Sequence, residues 1–146
     1  MKRSVFQLIV FLCICLLPTI AEAQQDVSLT FRFVTKNTKE GYDHVSKLIV
    51  YSDDEQIGES TEKLQSKPNS VTVKTPKGKH KIKAILYALY NGTWEPRTIA
   101  NEYSFDFEYS KTGNWEVNNT ISLTFDIEQT MVHIKEKVPV VADDED

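Results

Sequence analysis

The sequence predicts an all-β fold, an antiparallel immunoglobulin-like β-sandwich of seven or eight strands, and three observations predict it. Apolar side chains recur with a period of two in one segment after another, turn residues separate those segments, and no long stretch carries a helical period. A small closed β-barrel shows the same alternation on its inner face and is the alternative.

The first strand spans 27–35, where Val27, Leu29, Phe31 and Phe33 alternate with Ser28, Thr30, Arg32 and Val34. The polar "KNTKEGYD" around Gly41 reads as a loop. "VSKLIVYS" (45–52) is the next strand, "DDEQ" a turn and "IGES" a short returning strand, followed by a loop over 62–69. "SVTVKT" places Val71 and Val73 on one face and leads through "PKG" into a long lysine-rich strand that ends at Asn91-Gly92. Asn-Gly between two extended runs is the strongest short hairpin signal, because both residues tolerate the positive φ of a type I′ turn. The return strand is predicted from Arg97 onward, with Tyr103, Phe105, Phe107 and Tyr109 on one face and Glu102, Ser104, Asp106 and Glu108 on the other. "KTGNWEVN" reads as a loop around Gly113, 119–128 as another alternating strand, and "MVHIKEKV" as a last one.

Within the lysine-rich segment "TPKGKHKIKA" (75–84), an uninterrupted hairpin would set Lys81 opposite Glu102, Lys79 opposite Ser104 and Lys77 opposite Asp106. The turn before it would set Lys74 against Lys79. The stripe therefore reads as a charge-matched, solvated sheet face, with His80, Ile82 and Ala84 turned inward.

Gly58, Pro76, Gly78, His80, Ile82 and Ala84, within 48–89, follow an "I-G … P-x-G-x-H-x-I-x-A" order that resembles the immunoglobulin-like surface modules of exported bacterial proteins, including the PEGA type. The resemblance implies a β-sandwich at the cell envelope or outside the cell and implies no catalytic residues.

Residues 1–23 read as a removed export signal: Lys2 and Arg3 precede an apolar run from Leu8 to Leu17, and Ala21-Glu22-Ala23 is a small-x-small cleavage pattern. That run is too short to cross a bilayer, so no membrane span is expected in the mature chain, which would be secreted or periplasmic. Both cysteines, Cys13 and Cys15, lie in the signal, so the mature chain relies on core packing rather than disulfides. Residues 24–137 suffice for one domain, and 138–146, ending "ADDED", read as a disordered acidic tail. The formal charge of −4 becomes one unit more negative when Lys2, Arg3 and Glu22 leave, which argues against nucleic-acid partners.

No motif for catalysis, cofactor or metal stands out. His44, His80 and His133 lack ligand-like spacing, "SDDE" (52–55) lacks the spacing of calcium loops, and Asp106 with Glu108 is the pair a hydrolase reading would need. The residues that draw attention are aromatic. Tyr87, Tyr90, Trp94 and Trp115 sit near turns, where rings serve as ligand or partner contacts. Asn91 and Asn118 head N-glycosylation patterns. The expectation is an exported, non-enzymatic binding or structural module with a protein or glycan partner. The alternatives are a carbohydrate-binding module that uses the turn aromatics, and a small inhibitor or immunity-type protein with an acidic surface.

Overall fold

The computed structural model of the protein describes residues 24–139. Residues 1–23, read above as an export signal, and 140–146 of the segment 138–146 read as a disordered tail lie outside the described residues. The strands are β1 (Asp26–Lys36), β2 (Val45–Ser52), β3 (Glu55–Glu59), β4 (Lys63–Leu64), β5 (Asn69–Pro76), β6 (Gly78–Tyr90), β7 (Thr93–Pro96), β8 (Glu108–Trp115), β9 (Asn119–Asp126) and β10 (Met131–Lys137). One sheet has the order β10-β9-β1-β5. The other has β3-β2-β6-β7, with β4 also on β2 and β8 also on β6. The two sheets face each other without closing into a barrel, and the fold is a β-sandwich.

Alternation reports which face is buried but not which strand lies alongside, and three expectations change for that reason. First, β1 runs parallel to β9, with Phe31 opposite Ile121, so the first sheet is mixed. Second, β5 and β6 belong to different sheets: Lys74 lies opposite Ser28 on β1 and never meets Lys79. The chain crosses between sheets at Gly78, whose φ of 126° suits glycine alone.

Third, the hairpin at Asn91-Gly92 holds only from Tyr90–Thr93 to Tyr87–Pro96. Proline has no N–H to continue the ladder, and the chain leaves as a loop with a 3-10 turn at Ile99–Asn101. The loop is tied at its neck, where Arg97 N–H donates to Leu86 O (2.9 Å) and Phe107 N–H to Arg97 O (2.8 Å). Pairing resumes with β8, so Ile85 faces Glu108 rather than Thr98. Lys79, Lys81 and Lys83 then face Asn114, Thr112 and Ser110, and the predicted basic-on-acidic ladder does not form. The segment around Gly113 is strand rather than loop, with Gly113 opposite His80. The lysine face is neutralised instead by the β2–β3 turn: Lys83 Nζ lies 3.5 Å from Asp54, and Asp53 takes His80 Nδ1 at 2.6 Å.

The core between the sheets is built from Leu29, Phe31, Leu48, Ile82, Leu86, Phe107, Tyr109, Ile121, Leu123 and Phe125, all buried. Each such side chain stabilises the fold by about 1.5–3 kcal/mol relative to exposure. The aromatic run predicted as a strand is still buried, as a plug: Phe105 stacks on Phe107 at 4.0 Å and Phe107 meets Phe125 at 5.5 Å. At the β3–β5 edge, a Cβ on Gly58 would lie 2.6 Å from Val73 Cγ1, so the close approach of these strands requires glycine.

Candidate functional site at the open end of the sandwich

At one end of the sandwich the β1–β2 loop, the β6–β7 turn, the 97–107 loop and the β9–β10 turn surround a cleft of about 600 Å³. Even-numbered residues of β6 point into the core, and Tyr90 continues that row past the last core layer. Its ring is therefore 48% exposed and stands at the cleft wall. His44, just before β2, meets Tyr90 edge-to-face at 5.6 Å, and Tyr42 meets His44 in the same way at 6.5 Å. Tyr42 is 65% exposed. The row Tyr42–His44–Tyr90 is thus a wall of rings open to solvent.

The backbone that carries Tyr42 and His44 is itself tied down. Gly41, at φ 81°, allows the turn that brings Tyr42 N–H to Lys39 O (3.0 Å). Buried Gln65 ties the segment down: its N–H donates to His44 O (3.0 Å) and its Nε2 to Tyr42 O (2.5 Å). Asp43 accepts from Ser66 N–H and from its hydroxyl, at 3.1 and 2.6 Å. Across the cleft, Asp126 accepts from Asn37 Nδ2 and from the N–H groups of Glu128 and Gln129. The Gln129 bond foremost, then Asn37 and Glu128, holds its carboxyl below the usual range.

Arg97 also lines the cleft and is only 7% exposed. Its guanidinium lies 4.1 Å from the Phe107 ring centre and 4.9 Å from that of Tyr103. Nη1 donates to Gln65 Oε1, while Nε is buried without a partner. The salt bridges among the described residues are Lys47–Glu59, His80–Asp53, Lys83–Asp54 and Lys111–Glu136, and none includes Arg97. Burial pushes its pKa down and Tyr103 acts in the opposite direction. Two aromatic faces and one amide oxygen are a thin substitute for a carboxylate around a buried cation.

The four aromatics singled out in the sequence do not come together. Tyr90 is in the cleft. Tyr87 and Trp94 lie on the outer face of the second sheet, half-buried: Tyr87 hydrogen-bonds Tyr51 through the two hydroxyls (3.0 Å), and Trp94 pairs with Leu89 beneath Lys47 Nζ, 4.8 Å from the ring centre. Trp115 is the last residue of β8, at the opposite end, 4% exposed, and donates from Nε1 to His80 O (3.1 Å). It is a core residue and not a loop contact. Its ring must be buried because β8 occupies the place where a loop was predicted. Asp106 and Glu108 are also separated in role, since Asp106 accepts Ile99 N–H at 2.8 Å in the loop and Glu108 begins β8. Arg97, Tyr42, Gln65 and Tyr103 were missed. The signals for them were a tyrosine in a polar loop and an arginine directly after the proline that ends a strand.

Among the described residues no group of three or more His, Cys, Asp and Glu is placed to hold a metal ion, and no helix is long and apolar enough to cross a membrane. No protein-family model and no curated protein matches the chain. The PEGA-type resemblance thus has no family match behind it, and the β-sandwich it implied is the fold observed. Two solved structures are similar to it: a Gram-negative toxin (11% identity, TM-score 0.34, covering 82% of this chain) and a disulfide-locked mutant of intermedilysin with human CD59 (14% identity, TM-score 0.34, covering 81%). The chain spans about a quarter of each, 24% and 25% respectively. The fold rests on the strand pairing itself, and no residue role is carried over from either.

Proposed function

We propose that the protein is an exported, non-enzymatic binding module whose ligand or partner seats at the open end of the sandwich. The observation that carries this reading is the ring wall Tyr42–His44–Tyr90, which lines the cleft while the backbone carrying Tyr42 and His44 is tied down by Gln65. Large rings held in position at a concave surface, on loops carried by a rigid sheet scaffold, supply contact area at little ordering cost. The leader pattern of residues 1–23 supports export.

The test is a small-molecule screen on the mature chain labelled with 15N, read by chemical-shift mapping. Shifts concentrated in 39–44 and 90–103 are expected. Ligands that map elsewhere, or turnover of a hydrolase substrate abolished by Asp106→Asn, would overturn the reading.

A second reading has its own observation. Tyr51, Tyr87 and Trp94 share the outer face of the second sheet, as their cross-strand partners show, and such a row of rings suits stacking on sugars. Trp115 has no share in it. Binding to an insoluble glycan that survives Trp94→Ala would remove this reading.

A further inference from the structure

The ring wall explains where a ligand would sit but says nothing of its charge, which Arg97 does. A guanidinium taken out of water needs its hydrogen-bonding capacity and its charge answered. Here one nitrogen is answered by an amide oxygen, the Tyr103 side chain supports the charge with its polar end as well as its ring, Phe107 adds a second ring, and Nε has no partner. The residue that would most simply complete the arrangement is a carboxylate, yet the two that line the same cleft, Glu95 and Glu102, form no salt bridge with it.

Resting on the reading above, we infer that the cleft takes a small ligand bearing one compact oxyanion, a carboxylate or a phosphate, which pairs with Arg97 while an apolar or ring body lies against Tyr42, His44 and Tyr90. Planar guanidinium matches the geometry of such oxyanions and can meet them with two parallel hydrogen bonds. Entry of the anion supplies the missing counter-charge in a place where water screens poorly, so it binds more strongly than at an exposed arginine. Lys39 at the rim adds a second positive charge, and Glu95 with Glu102 sets two negative ones against it. That balance admits a single anionic group and repels a polyanionic chain. A role for Arg97 in holding Gln65 alone would use Nη1 and leave no preference for the charge of a ligand.

The experiment compares three probes of like shape on the mature chain, benzoate, phenyl phosphate and benzamide, with affinities read from the shifts of residues 39–44 and 90–103. At least one anionic probe should bind ten times or more tightly than benzamide, and the tighter of the two identifies carboxylate or phosphate as the group recognised. Added salt should weaken the anions and leave benzamide unchanged. Arg97→Gln should bring the anions down to the level of benzamide. Arg97→Lys, which keeps the charge and loses the fork, should fall between. Equal binding of all three probes at the cleft would overturn the inference and leave the binding site standing. No shift in the cleft with any probe would overturn both. The comparison of charged with neutral probes needs no variant, so it stands even if Arg97→Gln does not fold.

Discussion

The two ends of the sandwich handle charge in opposite ways. At the end formed by the β2–β3 turn, the crossing at Gly78 and the β8–β9 turn, charged groups are answered by partners within the protein. His80 Nδ1 meets Asp53, Lys81 N–H donates to the same carboxylate, Lys77 reaches Gln25, and the Trp115 ring nitrogen donates to His80 O. His80 Nε2 and Asn119 Oδ1 are buried there without a partner. At the other end, longer loops leave a cleft, two tyrosines face solvent, and a buried arginine forms no salt bridge among the described residues. Short, satisfied turns are what a fold needs to close its core. The loops of the open end do both: the 97–107 loop fills the core with Phe105 and Phe107, while Tyr42, Tyr90 and the Arg97 charge form the surface proposed above for binding.

If that contrast is right, the largest loss of stability comes from the closed end. Trp115→Ala should cost about 3–5 kcal/mol in denaturant unfolding, because it empties a buried ring site and removes the Nε1–H bond to His80 O. At the open end, Arg97→Met should cost less than about 2 kcal/mol by the same measurement: the bond lost to Gln65 is offset by removing an unpaired buried charge. A cost as large as that of Trp115→Ala would make Arg97 a structural residue and erase the contrast.

The exposed rings should matter least to folding. Tyr42→Ala and Tyr90→Ala should each change stability by no more than about 0.5 kcal/mol while weakening any ligand that shifts residues 39–44. The smallest effect is expected with acid. The folded pKa of Asp126 lies below its unfolded value, so its contribution is complete above that unfolded value, about 3.9, and is lost as pH falls through the folded one. Thermal unfolding between neutral and acid pH should therefore show a steeper loss for the wild type than for Asp126→Asn.

The fold class was legible because alternation survives in β1, β6 and β9, where Leu29, Ile82 and Leu123 mark the buried face without ambiguity. The pairing was not. Tyr103, Phe105 and Phe107 alternate as a strand would, but they fill the core from an irregular loop, and nothing local separates a buried loop from a buried strand. Pro96 was the available clue, since it ends the ladder that the charge-matched hairpin needed. Of the aromatics near turns, Tyr90 is exposed at the cleft wall, whereas Trp115 is buried at the end of β8, a strand where a loop is expected. Arg97 was hidden for a different reason. An arginine shows in sequence as a solvent-facing charge, and only the folded chain reveals that its neighbours are Phe107, Tyr103 and Gln65.

The most direct test is a crystal structure of the mature chain grown with phenyl phosphate or benzoate. The oxyanion is expected within about 3 Å of the Arg97 guanidinium, with the ring against Tyr90 or Tyr42. A ligand seated on the Tyr87–Trp94 face, or a cleft in which Glu95 or Glu102 has closed onto Arg97, would contradict it.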